Sequence, residues 1–140
     1  MKKYYKNTDL DSIKNSFYLP NALYTLGLTY AEIAVYSYLR CIENRKTYQC
    51  YPSHNTIGKA VGMSVNTVRK YVDSLVEKKL ITVEPTKVRL KNGKTRNGNL
   101  LYTIRPIGEA VKYYYEQQLV ELDKNFKIQK ALKKQSKYAV

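Results

Sequence analysis

Apolar and polar residues follow two different periods along the 140 residues of the chain, and each period predicts one kind of element. Apolar positions recur every three or four residues from 29 to 44 and again from 52 to 80, which is the period of helices with one buried face. From 81 to 105 they recur at every second residue, which predicts strands. The helical period returns from 107 to 134. This order predicts a mostly α chain with a small β-hairpin, an α+β fold.

The helix expected from residue 29 has a defined start. Thr29 and Glu32 match a capping box, in which the two side chains satisfy free amide groups of the first turn. Its apolar positions surround much of the circumference, so we expect it to be the most buried helix. These positions are Ile33, Ala34, Tyr36, Leu39, Cys41 and Ile42. Before it, Leu23 and Leu26 belong to a short helical turn that faces the core, and after it residues 45–50 form a polar linker.

Residues 51–81 contain the start and stop residues that are typical of two short helices joined by a tight turn. Ser53 suits the start of the first helix, Gly62 permits the turn, and Ser64 caps the second helix with its hydroxyl. Gly58 should loosen the first helix slightly while leaving room for close packing. The inward positions are Ile57, Val61, Met63, Val68, Val72 and Leu75. The outward positions form a polar, cationic face, and they are Val65, Asn66, Thr67, Arg69 and Lys70.

The strand period after residue 80 predicts a hairpin that projects from the two helices as a wing. Its first strand begins at residues 81–84, and its return strand covers residues 100–105. Asn92-Gly93 and Asn97-Gly98 are both strong hairpin-turn dipeptides. Five cations with no acidic residue among them suit contact with phosphates. They are Lys87, Arg89, Lys91, Lys94 and Arg96.

The last helix is expected from residue 107 to residue 134. At ~1.5 Å per residue it would be about 40 Å long, which is longer than the domain needs for its own packing. One apolar stripe runs along it at spacings of three and four. The stripe consists of Ile107, Val111, Tyr115, Leu119, Leu122 and Phe126. A helix with such a stripe either folds back, so that the stripe packs on the core of its own chain, or pairs with the same helix of a second chain. The length of the helix favours the second chain, and therefore a homodimer.

The formal net charge is +14, from 25 Lys and Arg against 11 Asp and Glu, so we expect a polyanionic partner. Nucleic acid is favoured over an acidic membrane surface or a merely solvated set of lysines. No apolar run is long enough to cross a bilayer and the first residues lack a secretory signal, so we expect a cytoplasmic protein. Cys41, Cys50 and His54 cannot build a tetrahedral zinc site within one chain, and neither a metal nor a cofactor is expected.

Residues 62–70, Gly-Met-Ser-Val-Asn-Thr-Val-Arg-Lys, followed by Leu75 and by Lys79-Leu80-Ile81, resemble the second and third helices of bacterial winged helix-turn-helix proteins, including regulators of the GntR type. Residues 17–23 and 51–53 also resemble the amino-terminal DNA-binding domain of plasmid replication initiators of Gram-positive bacteria. The resemblance covers residues 17–105. It leaves both ends unmatched. Together with the patterns above, it predicts three parts: a flexible basic arm at 1–16, a winged helix-turn-helix domain at 17–105, and a carboxyl-terminal helix at 106–140 that is a candidate dimerisation element and carries a basic tail.

A winged helix-turn-helix places the start of its second short helix in the major groove of double-stranded DNA, and this divides the polar residues into two groups. Bases are expected to be read by Val65, Asn66, Thr67 and Arg69. Phosphates are expected to be held by Tyr51, Ser53, His54, Asn55, Lys59, Ser64 and Lys70, near two helix amino termini.

The function that these features favour is sequence-specific DNA binding by a transcriptional regulator that acts by occupying its site. The alternative is a replication initiator or accessory protein of a plasmid or mobile element. No effector-binding domain is evident in the sequence. An enzyme is not expected, because a DNA-nicking relaxase needs two metal-binding histidines and His54 is alone. Binding of single-stranded RNA through stacked tyrosines is a further alternative, since the chain has 15 tyrosines.

Overall fold

The computed structural model describes residues 16–138, so the predicted basic arm at 1–16 lies almost wholly outside the described part. A 3-10 turn at Asn21–Thr25 is followed by three helices and then by a hairpin and a long helix. The helices are α1 (Tyr30–Ile42), α2 (His54–Val61), α3 (Val65–Glu77) and α4 (Ile107–Tyr138). The strands are β1 (Gln49–Cys50), β2 (Ile81–Glu84), β3 (Lys87–Arg89), β4 (Thr95–Asn97) and β5 (Leu101–Ile104). The α+β architecture is the expected one, a winged helix-turn-helix.

The sheet at the base of the hairpin has three strands in the order β1-β5-β2, all antiparallel. The prediction of a polar linker at 45–50 is therefore wrong at its end, because Gln49 pairs with Thr103 and Cys50 pairs with Tyr102. A strand of two residues is too short to show a period in the sequence. β3 and β4 pair farther out and form the wing.

Only one of the two predicted turn dipeptides makes a turn. Gly93 has a left-handed φ of 79° and follows Asn92, whose side chain accepts a hydrogen bond from the amide of Lys94 at 3.1 Å. Asn97, in contrast, belongs to β4 and pairs with Lys87. Gly98 is needed there for space, because a Cβ at this position would lie 2.5 Å from the Thr86 hydroxyl oxygen. The second dipeptide therefore marks a close approach of the two strands.

α1 begins as predicted and is buried on one side only. The Thr29 hydroxyl accepts a hydrogen bond from the amide of Glu32, and the Glu32 carboxylate accepts one from the amide of Thr29. The buried residues of α1 are Ala31, Glu32, Val35, Tyr36 and Leu39. The prediction that Cys41 lies in the core is wrong, because Cys41 is exposed and Cys50 is the buried thiol. α1 packs on α3, α2 and β5, and in its last turn Leu39 is buried while Cys41 and Ile42 lie on the exposed side.

The core lies where the first three helices meet the sheet. Of the inward positions predicted for α2 and α3, Ile57, Val68, Val72 and Leu75 are fully or almost fully buried, while Val61 and Met63 are half-buried at the turn. The predicted Leu23 and Leu26 also belong to the core. The other members of the core are Val35, Tyr36, Leu39, Cys50, Leu80, Ile81, Tyr102, Ile104 and Ala110.

A buried carboxylate ties α1 to α3. Glu32 is 2% exposed, and its carboxylate accepts hydrogen bonds from the Ser74 hydroxyl at 2.9 Å and from the Lys78 ammonium at 2.9 Å. Burial by itself raises the pKa of Glu32, but the hydrogen bonds from Lys78, Thr29 and Ser74 outweigh it and lower the pKa below its ordinary value. The carboxylate is therefore ionised and satisfied, and it fixes the carboxyl-terminal half of α3 relative to the start of α1.

Gly58 allows close packing of the backbone, as predicted. It is buried in α2, and a Cβ built on it would overlap the carbonyl oxygen of Met63 in the following turn. The amide of Met63 donates to the carbonyl oxygen of Gly58 at 2.9 Å, so backbone meets backbone at this point. The angle between α2 and α3 therefore depends on the absence of a side chain at residue 58.

We expect Gly58→Ala to lower the free energy of unfolding by about 1–3 kcal/mol, because the turn must widen to admit one methyl group. Urea unfolding followed by circular dichroism measures it. Gly108→Ala is the matched control, since Gly108 lies in the first turn of α4 and, apart from its chain neighbours and the backbone of its own turn, no atom would lie within 4 Å of the added Cβ. That variant should be neutral or more stable by up to about 1 kcal/mol. Equal losses in both variants would contradict the packing argument.

α4 is docked at its start and free afterwards. Ala110 is buried, Ile107, Val111 and Tyr114 pack against the core, and the Lys79 ammonium lies 5.7 Å from the centre of the Tyr113 ring. From residue 115 to residue 137 every side chain is exposed. α4 also continues to Tyr138, beyond the predicted end at residue 134. Its second half does not fold back on the core of its own chain.

Within residues 16–138 no helix is both long enough and apolar enough to span a membrane. The same residues contain no group of three or more His, Cys, Asp and Glu side chains placed to hold a metal ion.

Candidate nucleic-acid interface

The start of α3 presents the side chains that were predicted to read bases. Ser64 caps the helix, since its hydroxyl oxygen accepts a hydrogen bond from the amide of Thr67 at 3.2 Å and lies 2.8 Å from the Thr67 hydroxyl. Val65, Asn66 and Arg69 are exposed, whereas Thr67 is half-buried beside its capping partner. The cap thus orients the start of α3 so that Val65 and Asn66 in the first turn and Arg69 in the second turn face solvent.

The outward face of α3 changes sign along its length. A shallow depression on this face is lined by Asn66, Arg69, Lys70, Asp73, Ser74 and Glu77. The cations stand in the first half of the helix and the two carboxylates in the second half. The Lys70 ammonium lies 5.4 Å from the centre of the Tyr71 ring, which holds it alongside α3. A polyanion is therefore attracted to the first two turns and repelled from the last two.

The start of α2 has a similar cap. The Ser53 hydroxyl oxygen accepts from the amide of Thr56 at 3.0 Å, and Asn55 and Lys59 are exposed. His54 is half-buried, and its Nε2 atom is enclosed without a hydrogen-bond partner. Burial, and next the positive charge of Arg69, lower the pKa of His54. His54 is therefore neutral near pH 7 and adds no positive charge to the surface.

The five predicted wing cations are all exposed but do not share one face. In the β3–β4 pair, Val88 lies opposite Arg96, while Lys87 lies opposite Asn97 and Arg89 lies opposite Thr95. Neighbouring positions of a strand point to opposite faces, so Lys87 and Arg89 stand on one face of the wing and Arg96 stands on the other. Lys91 and Lys94 belong to the turn. A DNA duplex that lies against one face of the wing can therefore contact only some of the five cations.

A residue that the sequence did not single out joins the wing to the helices. The Asn99 amide nitrogen donates to the backbone oxygen of Tyr51 at 3.2 Å, just before α2. The backbone oxygen of Asn99 accepts a hydrogen bond from the Thr86 hydroxyl on the other side of the wing. These bonds fix the wing relative to the start of α2. No local pattern marks Asn99, because its partner lies 48 residues away.

Residues 26–81 match a family model that is described as a helix-turn-helix domain. No curated protein sequence matches the chain. Solved structures that match the chain include a possible transcriptional regulator from Methanosarcina mazei Go1, 18% identical with a TM-score of 0.47, covering 81% of this chain and 96% of that one. A MarR family transcription regulator is 16% identical with a TM-score of 0.44, covering 83% and 79%.

BpsR of Bordetella bronchiseptica, whose DNA binding is regulated by 6-hydroxynicotinic acid, is 23% identical with a TM-score of 0.38, covering 79% of this chain and 76% of that one. The resemblance to GntR-type regulators and to replication initiators stays a prediction. The family match and the geometry agree: residues 26–81 match a helix-turn-helix domain, and within them α2 and α3 are two helices joined by a tight turn at Gly62.

Proposed function

We propose that this protein binds double-stranded DNA at specific sites and regulates transcription by occupying them in the cytoplasm. The observation that carries the proposal is the exposed start of α3, where Asn66 and Arg69 project beside a capped helix amino terminus. A helix end of this kind fits the major groove and brings donors to both base edges and phosphates. The helix-turn-helix match over residues 26–81 supports the same function.

The proposed contacts divide by position. Asn66 suits paired hydrogen bonds to adenine, Arg69 suits guanine, and Val65 suits the methyl group of thymine. Thr67 offers its methyl group from a half-buried position. Tyr51, Ser53, His54, Asn55, Lys59, Ser64 and Lys70 are the proposed phosphate contacts. The wing adds part of its five cations beside the groove.

We further propose a homodimer formed through α4. Tyr115, Leu119, Leu122 and Phe126 are each between 60% and 67% exposed although they form one stripe along the helix. An apolar stripe of this length is stable in water when a partner covers it. A symmetric dimer would place two α3 helices on a two-fold DNA site.

Salt dependence tests the DNA-binding proposal directly. If about five phosphates are neutralised, the logarithm of the affinity for duplex DNA should fall with the logarithm of the salt concentration at a slope of about −4.5. Fluorescence anisotropy with a labelled duplex measures this slope. Single-stranded RNA of equal length is the competitor control. A flat salt response, or better competition by the RNA than by unlabelled duplex, would contradict the proposal.

Mapping the bound sites in a genome decides between regulation and replication. Sites at promoters support a transcriptional regulator. Repeated sites at a replication origin would instead support the initiator role, which the resemblance of residues 17–23 and 51–53 suggests. The protein is proposed to act by binding and without catalysis, and cleavage of the duplex in the presence of magnesium would refute that part.

A further inference from the structure

The far end of α4 carries an exposed basic surface. From residue 124 to residue 137 the helix contains six lysines and no acidic residue, and every side chain in this span is exposed. At ~100° per residue, five of these lysines fall within about 120° of the helix circumference, so they form one basic side. These five residues are the lysine row, and they are Lys127, Lys130, Lys133, Lys134 and Lys137.

The lysine row points away from the winged domain of its own chain. α4 docks on that domain through Ile107, Ala110, Val111 and Tyr114. At ~100° per residue, the middle of the row lies about 150° around the helix from the middle of this docked face. The first lysine of the row also lies about 20 Å beyond Tyr114, at ~1.5 Å per residue. The row is therefore a surface separate from the docked part of α4.

The row is also separate from the start of α3. α4 approaches α3 just beyond its carboxyl-terminal end, where the Lys79 ammonium lies 5.7 Å from the centre of the Tyr113 ring. Asn66 lies at the other end of α3, and at ~1.5 Å per residue about 17 Å of helix separates the two ends. The row begins only after about 20 Å more of α4. A polyanion on the row is therefore not the stretch that the start of α3 contacts.

Within the described part of the chain the charge of the row is almost uncompensated. Lys127 pairs with Asp123 at 3.3 Å, but the two side chains are 76% and 65% exposed, so the pair is weak. The other four lysines of the row form no ion pair within residues 16–138. Like charges three and four residues apart repel each other along a helix. A polyanion that covers the row would relieve this repulsion.

We propose that the lysine row binds the phosphates of a second stretch of double-stranded DNA, outside the site that α3 reads. The row spans about 15 Å of helix axis, and one DNA strand carries about four to five phosphates over that length. The number of lysines therefore matches the number of phosphates. Lysine is a flexible point charge, so these contacts add affinity without choosing bases. The inference rests on the proposed DNA-binding function.

The opposite side of the same span favours DNA over an acidic membrane surface. Between residues 127 and 137 its large apolar side chains are Ile128 and Leu132, and three polar residues lie beside them, Gln129, Gln135 and Ser136. A helix that lies on a lipid surface needs a wide apolar face to bury. Two apolar residues among three polar ones do not form such a face, whereas DNA phosphates require only the lysines.

Two double variants with the same change of charge test the proposal. Lys130→Gln with Lys134→Gln removes two lysines of the row, and Lys112→Gln with Lys124→Gln removes two exposed lysines of α4 outside the row. Glutamine has nearly the helix propensity of lysine, so α4 is kept in both variants, and circular dichroism checks this. Fluorescence anisotropy then measures the salt dependence of binding to two duplexes. The short duplex has about 20 base pairs and holds only the site selected from a random pool, and the long duplex adds about 20 base pairs on each side.

On the long duplex the row variant should show a salt slope shallower than that of the wild type by about 1.8, since two fewer phosphates are neutralised. The row variant should match the wild type on the short duplex, and the control variant should match it on both. An unchanged slope of the row variant on the long duplex overturns the proposal. An equal drop on the short duplex, or in the control variant, overturns it as well.

Failure of the row is distinguishable from failure of the proposed function. In each of the contradicting outcomes above, the wild type still binds duplex DNA with a salt-dependent affinity. If the wild type binds neither duplex, the DNA-binding function itself fails and the row loses its ligand. Vesicles that contain phosphatidylserine are the competing polyanion. If the row substitutions abolish binding to these vesicles and leave both duplex slopes unchanged, the partner of the row is a membrane surface and the proposal is overturned.

Discussion

Arg69→Ala should change which bases the protein prefers and should weaken binding to its best site by about 1–3 kcal/mol, or roughly five- to 150-fold. Arg69 is exposed in the second turn of α3, next to Asn66 and at the edge of the cationic half of that face. An arginine there offers two parallel donors to guanine, and alanine offers none. Selection of bound sequences from a random duplex pool, with wild type and variant in parallel, should show relaxed choice at one or two positions.

Lys94→Ala is the control for this prediction. Lys94 lies in the turn of the wing, where a single charge suits a phosphate and carries no information about sequence. The same sequences should be selected as by the wild type, with all affinities lower by less than about tenfold and the salt slope shallower by about 0.9. If Arg69→Ala and Lys94→Ala behave alike, the division into base-reading helix and phosphate-holding wing is refuted.

Glu32→Ala should lower the free energy of unfolding by about 2–3 kcal/mol. The substitution removes the acceptor of the Ser74 hydroxyl and of the Lys78 ammonium and half of the capping box at Thr29. Removing one partner of a fully buried ion pair destabilises a protein by more than this. Here the loss is smaller, because Lys78 is about one-third exposed and its ammonium is hydrated once Glu32 is gone. Urea unfolding measures the loss of stability. Binding of duplex DNA at low urea concentration is the second readout. Glu32→Gln should cost less, because it keeps the volume and part of the hydrogen bonding.

The same carboxylate makes part of the stability depend on pH. The pKa of Glu32 is lowered in the folded state from the ordinary value of 4.5, so the unfolded chain binds more protons between the two values. This contribution is complete above about pH 5 and is lost as the pH falls through 4.5 and then through the folded pKa. Glu32→Gln should therefore lose less stability than the wild type between pH 5 and pH 3. Parallel acid curves for the two proteins would contradict the assignment.

The two helix starts could be read from the sequence because each depends on residues three apart. Thr29 and Glu32 close a capping box, and Ser64 caps α3 through Thr67, as the spacing predicted. The outward face of α3 also followed from the helical period, since Val68, Val72 and Leu75 had to face the core. Local geometry alone imposes these features, so no knowledge of distant residues was needed.

Other features needed the tertiary structure because their partners are far apart in the chain. Cys50 is buried through its pairing with Tyr102, and Asn99 orients the wing through Tyr51. Gly98 was read as a turn residue, yet it serves a close approach of strands. The split of the wing cations over two faces follows from the register of β3 and β4, which the dipeptide signals did not fix.

The sequence by itself determined the helix-turn-helix, its caps, its cationic outward side and the long amphipathic last helix. It did so because hydrophobic period and capping act over one or two turns of chain. Only the tertiary structure decided that Glu32 is buried against Lys78, 46 residues away, that Gly58 has no room for a methyl group, and that α4 leaves its stripe uncovered after residue 114. These depend on which surfaces meet, and a meeting of distant surfaces has no local signature in the chain.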